Sequence, residues 1–256
     1  MSDVLVLSYH AVSETWPAAL SVTPERFESQ LRSLVRSGYA GATFSDAIAR
    51  PRTGKTVAVT FDDGYRSVLT HALPVLRGLG LPATVFVPTD FVDSDEPMRW
   101  PGIDHWLGSA HERELLPLSW EELAELRASG WEIGSHTCTH PHLTQLDDVR
   151  LADELRRSRE RCESVLGEPC RSLAYPFGDH DARVVEAAAA AGYTSACIVP
   201  RRLVTPTRLA WPRIGVYHKD GGLSFRLKVS PSVRRLRASP LWVPLDHVRR
   251  RLRGRL

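Results

Sequence analysis

Short apolar runs alternate with helix-length amphipathic stretches along most of this chain, and that alternation narrows the available folds more than any other feature. Residues 4–7, 57–61, 83–87, 131–134, 172–175, 195–199 and 213–217 read as strands. Thr23-Pro24-Glu25 opens a helix, with Thr23 as N-cap, Pro24 at the first position, and Phe27, Leu31 and Leu34 on one face before Gly38. A second helix is expected over residues 67–79, bent at Pro74. Ser119-Trp120-Glu121-Glu122 is a capping box that starts a third, which Gly130 ends. Leu151, Leu155, Cys162 and Leu166 line a fourth, ending at Gly167, and residues 181–191 form an alanine-rich fifth. About seven strands with helices between most of them predict an α/β fold, a distorted (β/α)7 TIM-like barrel with a parallel sheet inside and helices outside. Chemistry in such folds gathers on the loops after strands, so a functional motif should directly follow one.

The chain has 256 residues, enough to bury a large core without staples. Its 43% hydrophobic and 25% charged residues exclude a disordered or collagen-like polymer. No apolar run approaches the roughly 20 residues of a membrane span. Residues 1–12 lack a basic leader and read as a buried strand, so a cytoplasmic protein is expected, with Cys138, Cys162, Cys170 and Cys197 as free thiols. The net charge of +3 hides an asymmetry, since residues 230–256 carry eight arginines against one acid, Asp246. Two segments are therefore expected, a barrel domain over residues 1–229 and a basic tail over 230–256. In the tail Leu241, Leu245, Val248, Leu252 and Leu256 make one helical stripe, with Trp242 beside it and Arg249, Arg250, Arg251, Arg253 and Arg255 on the other faces. Such a helix either lies on an anionic membrane or packs its stripe on the barrel. The overall charge gives no argument for a nucleic-acid partner, and none is expected.

Three polar clusters directly follow strands. In Thr60-Phe61-Asp62-Asp63-Gly64-Tyr65 two adjacent carboxylates repel, and a nearby cation relieves them. The plain alternative is a pair of helix caps. Gly134-Ser135-His136-Thr137-Cys138-Thr139-His140-Pro141-His142 sets histidines at i and i+4, a spacing that can converge on one metal ion, although a polar loop rich in histidine reads the same way. Ala174-Tyr175-Pro176-Phe177-Gly178 is a Pro-x-Gly turn. Two histidines and one carboxylate make a zinc tripod with one position open, and a second carboxylate beside it is free to act as a base. Residues 89–118 follow neither period and read as a lid or substrate wall. In it Trp100 and Trp106 either face a sugar ring or pack beneath the loop.

TFDDGY, GSHTCTHPHL and AYPFG, in that order, resemble the polysaccharide deacetylases with the NodB-type domain, carbohydrate esterase family 4. The resemblance covers about residues 4–228. VLSYHAV, SVTPERFESQLRSL, LSWEELAELRASGWEIGSHT and WPRIGV are similar to the branch that deacetylates poly-N-acetylglucosamine. It implies a metal-dependent N-deacetylase of an N-acetylated glycan, with Zn2+ or another divalent transition metal held by Asp63, His136 and His140. Asp62 is then the general base, and the Phe177 N–H faces the oxyanion. Where many members carry an arginine before the Pro-aromatic-Gly turn, this chain has Ala174; Arg213 is the residue expected to hold Asp62 instead. His218 and His10 are both candidates for the general acid, with a surface histidine as the alternative for His218. His142 lies outside the motif and is expected to orient the loop or meet substrate. Two further alternatives remain: a deformylase or deacetylase of a lipid-linked sugar, and an inactive glycan-binding homologue.

Overall fold

The computed structural model describes residues 2–49, 53–239 and Trp242. The chain runs β1 (Ser2–Tyr9), β2 (Ala11–Val12), β3 (Ser21–Val22), α1 (Pro24–Arg36), β4 (Tyr39–Gly41), α2 (Phe44–Ala49), β5 (Gly54–Phe61), α3 (Leu73–Leu79) and β6 (Ala83–Val87). It continues with α4 (Trp120–Ala128), β7 (Glu132–Ser135), α5 (Asp148–Leu166), β8 (Ser172–Ala174), α6 (Ala182–Ala190), β9 (Ser195–Ile198), β10 (Trp211–Pro212), β11 (Ile214–Gly215), α7 (Gly222–Val229) and α8 (Pro231–Ala238). All pairings in the main sheet are parallel, in the order β10-β9-β8-β7-β6-β5-β1-β11.

The two ends of that order belong to one extended segment. Trp211 and Pro212 pair with Cys197 and Ile198 of β9, while Ile214 and Gly215 pair with Leu7 and Ser8 of β1. Arg213 lies between the two halves, its N–H donating to the Ile198 carbonyl. One short segment thus closes a seven-stranded barrel among the described residues, the expected architecture.

The helices form where the pattern places them. Thr23 accepts from the Arg26 N–H and caps α1, which buries Phe27, Leu31 and Leu34. Each such side chain contributes about 1.5–3 kcal/mol by leaving water. The capping box at Ser119 is complete, with Ser119 and Glu122 each accepting the other's backbone N–H. The expected bend at Pro74 is a change of helix type: a π turn over Val68–Ala72 leads into α3. Proline has no N–H for the regular ladder, and a wider turn accommodates that loss. The three-residue β4, the six-residue α2 and the short β2–β3 pair carry too little periodicity to be legible in sequence.

Residues 89–118 hold two 3-10 turns above a hydrophobic cluster of Trp16, Tyr65, Met98, Trp100, Ile103 and Leu115. The segment is packed, not draped. All four cysteines are free and buried. No helix among the described residues is long and apolar enough to cross a membrane. The helix α8, inside the stretch read as tail, joins the barrel through Arg234, which pairs with Asp3 and donates to the Val4 carbonyl. The apolar stripe of residues 241–256 lies outside the described residues, Trp242 excepted.

Close packing of β7 on its neighbours depends on Gly134. A Cβ there would stand 2.5 Å from the Phe86 ring and 2.6 Å from the Ser172 hydroxyl. Gly134→Ala is expected to lower unfolding stability by about 1–3 kcal/mol through this overpacking. Urea denaturation followed by far-UV circular dichroism would measure it, and an unchanged midpoint would refute the tight contact.

Candidate active site

The chain leaves β5 at Phe61 and turns sharply. Asp63 (φ 70°) and Gly64 (φ 66°) are both left-handed. A Cβ on Gly64 would stand 2.8 Å from Val87 Cγ1, so the turn needs glycine for both conformation and room. This turn sends the two adjacent carboxylates to different partners.

Asp62 faces the barrel closure. Arg213 donates to both of its oxygens, Nη1 to Oδ1 at 2.7 Å and Nη2 to Oδ2 at 2.6 Å, and Nη1 also donates to the Thr60 hydroxyl at 2.8 Å. Ser8 donates to Oδ2 at 3.3 Å, and His10 Nε2 stands 3.9 Å from the same oxygen. Burial alone would raise the Asp62 pKa, but the Arg213 guanidinium outweighs it and holds the group below the ordinary carboxylate range. Asp62 is therefore a buried carboxylate with both oxygens anchored.

Asp63 faces the loop after β7. Its Oδ1 lies 3.4 Å from His136 Nε2 and 3.3 Å from His140 Nε2, and it has no hydrogen-bond partner among the described residues. His136 Nδ1 donates to the Ala174 carbonyl at 2.7 Å, which leaves the Nε2 lone pair directed at Asp63. All three side chains are buried, and their ligand atoms lie within 4.8 Å of one another. Two donors about 2.1 Å from a shared ion, at a tetrahedral angle, are about 3.4 Å apart. The two separations from Asp63 match that edge and are longer than a charged hydrogen bond of about 2.8 Å. The donor set thus fits a divalent metal ion. Burial would raise the Asp63 pKa, yet the two imidazoles hold it well below its usual range. Burial also opposes a charged His136, but Asp63 and Asp62 overcome this and raise its pKa. For His140 burial wins, and its pKa falls.

The histidine loop is not helical. Thr137 (φ 69°) and His140 (φ 59°) are left-handed, and the His140 N–H donates to the Thr137 hydroxyl at 3.1 Å. Glu154 of α5 holds the loop, accepting from the Cys138 N–H (2.8 Å), the Thr139 N–H (3.0 Å) and the Thr139 hydroxyl (2.6 Å). Sequence reasoning missed Glu154, because in a helical pattern it is one more polar position. Cys138 is buried and lies outside the donor set.

A cavity of about 440 Å³ opens above these groups. Asp62, Asp63, His136, His140, Arg213, Phe177 and His10 all line it, so the barrel gathers residues from five separate parts of the chain. His218 is not on its wall; its backbone bonds to Ala19 and to Arg26 instead. Phe177 takes φ 59° and is 45% exposed, its ring stacked on His142 at 4.0 Å and edge-on to His140 at 4.6 Å. Trp100 also lines the cavity, but one ring face covers His140 at 4.1 Å. Trp106 packs edge-on against Trp16, away from the wall.

The Asp62–Arg213 pair is 4% and 1% exposed, so removing one partner strands a buried charge. Arg213→Met should cost about 3–5 kcal/mol of unfolding free energy. Adding Asp62→Leu should recover part of that loss, and a double-mutant cycle by chemical denaturation would test it. Strict additivity would mean the two residues do not interact energetically.

Comparison with known proteins places this geometry in context. The family described as Polysaccharide deacetylase matches residues 49–196. The putative polysaccharide deacetylase YxkH of Bacillus subtilis is 27% identical over 193 residues, covering 73% of this chain and 61% of that protein. Poly-beta-1,6-N-acetyl-D-glucosamine N-deacetylase of Staphylococcus epidermidis is 25% identical over 204 residues, covering 69% and 65% respectively. The chain thus spans somewhat less than two thirds of the length of these curated relatives. The solved structure of the Streptococcus pyogenes deacetylase PplD in complex with acetate shares the fold, with a TM-score of 0.75 at 22% identity over 89% of this chain and 98% of that one. With the match spanning more than half of its length, and with a buried Asp-His-His donor set at the mouth of the barrel, this chain belongs to the polysaccharide deacetylase family.

Proposed function

We propose that this chain is a zinc-dependent N-deacetylase that hydrolyses the acetamide of an N-acetylated sugar, with an N-acetylglucosamine-containing glycan as the substrate class. The observation that carries this reading is the division of labour between Asp62 and Asp63. One carboxylate is anchored by a guanidinium, and its neighbour shares a buried donor set with two imidazoles. The S. epidermidis relative, named for an N-acetylglucosamine polymer, supports the choice of sugar.

Asp63 Oδ1, His136 Nε2 and His140 Nε2 would hold the ion. When bound, a divalent metal supplies Lewis-acid polarisation of the carbonyl and a more acidic water. The rest falls to the chain itself. Asp62, kept ionised by Arg213, accepts the proton of the attacking water. Phe177 lines the cavity, and its N–H donates to the oxygen on which negative charge develops. His10 is the one imidazole on the cavity wall, among the described residues, besides the two metal donors. It stands at Asp62 Oδ2 and hands a proton to the departing amine. The C–N bond breaks, and acetate and a free amino sugar leave.

Acetate release from N-acetylated chito-oligosaccharides, measured after metal removal and after adding zinc, tests the proposal. Chelation should abolish activity and zinc restore it; full activity in the metal-free protein would sink the mechanism. Asp62→Asn should keep zinc while losing about 100- to 10,000-fold in turnover, the usual worth of general acid–base catalysis. Asp63→Asn should lose zinc itself, measured by metal analysis. The reverse pattern would exchange their roles.

A further inference from the structure

The charge of this chain is divided along its length. Residues 1–200 hold 28 acidic against 18 basic side chains, whereas residues 201–240 hold ten basic side chains against the single acid Asp220. The basic stretch folds beside the active-site cavity. Val199 and Tyr217 line that cavity and also line a second one of about 630 Å³, so they form a wall common to both. The second cavity is lined by the cations Arg201, Lys219, Lys228 and Arg237.

Two of these cations are structural. The Lys228 ammonium pairs with Asp220 and donates to the Gly215 carbonyl, and it lies 5.3 Å from the centre of the Tyr217 ring, fixing the shared wall. Arg237 donates to the carbonyls of Pro200 and Arg201 and holds the opposite loop. Asp220, the one carboxylate of the lining among the described residues, is buried and already engaged by Lys228 and by the Tyr217 N–H. Lys219 and Arg201 are different. Both are exposed, and neither has an ion-pair partner among the described residues. A neutral glycan gains little from two uncompensated cations beside the reacting sugar. A phosphate gains much, because lysine offers it a point charge and arginine a bidentate fork.

We propose that this second cavity is a subsite for the phosphate or diphosphate carried by an N-acetylated sugar substrate, with Lys219 and Arg201 as its ligands. The proposal rests on the deacetylase reading and adds to it the chemical class of the substrate. Phosphorylated N-acetyl sugars occur linked either to a nucleoside or to a polyprenyl lipid, and both present the same charge to this subsite.

Two measurements on the full chain test it. The first is calorimetric binding of inorganic pyrophosphate, which does not depend on activity. Lys219→Ala and Arg201→Ala should each weaken it about tenfold, as expected for loss of one charge-assisted contact, and Lys219→Arg should restore it. Equal binding by wild type and both alanine variants overturns the subsite. The second is acetate release from a neutral chito-oligosaccharide, a nucleoside-diphosphate N-acetylglucosamine and a polyprenyl-diphosphate N-acetylglucosamine. At least one diphosphate sugar should exceed the neutral one in kcat/KM, and that ratio should fall in Lys219→Ala mainly through KM. The better of the two identifies the source. A neutral sugar turned over as well as both refutes the proposal. If no sugar is hydrolysed while pyrophosphate binding still depends on Lys219, the deacetylase reading fails and the anion site stands.

Discussion

A buried ion pair, Asp62 with Arg213, ties the closure of the barrel to its chemistry. The guanidinium projects from the one position where the last strand stops pairing with β9 and starts pairing with β1. It reaches across to the end of β5 and grips both carboxylate oxygens. Taking two charges out of water is expensive, and bidentate geometry with a further bond to Thr60 is what offsets the cost. The same contact holds the Asp62 pKa down in a place where burial alone would raise it. The residue at the closure of the barrel is thus also the one that anchors Asp62.

The second constraint is repulsion between neighbouring carboxylates. Asp62 and Asp63 cannot share an environment without raising each other's pKa. The left-handed turn at Asp63 sends them apart, one to a guanidinium and one to two imidazoles. Five non-glycine residues of the described chain have positive φ, and Asp63, Thr137, His140 and Phe177 are four of them. Three of these line the cavity, and Thr137 sits within the histidine loop. Strained backbone thus concentrates where donor atoms must converge, and the rigid strands beneath hold it.

Around this centre the loops supply walls and support. Trp100 and Phe177 enclose His140, while Glu154 ties the histidine loop to α5. The tryptophan is half of what a sugar-facing wall needs: it lines the cavity, but its stacking face is used on a donor. The second cavity, lined by Arg201, Lys219, Lys228 and Arg237, shares Tyr217 and Val199 with the first.

Much of this was legible in the chain. Period and capping residues located the principal strands and helices, because burial on one face and unsatisfied helix ends constrain residue type locally. The DDG and HTxxH runs offered a donor set, beside plainer readings as helix caps and a polar loop, and the resemblance to the deacetylases chose between them. Other matters depended on the assembled fold. Arg213 lies 151 residues from Asp62, and only barrel closure brings the two together. The sequence offered both His10 and His218 for the pocket; the path of β1 and the loop after β11 decided that only the first lines it. The support from Glu154, and the cavity that Lys219 and Arg201 both line, likewise come from packing. Local sequence determines which groups a segment offers, because propensity and burial act over a few residues. Which groups face one another is a long-range property, set when the sheet closes on itself.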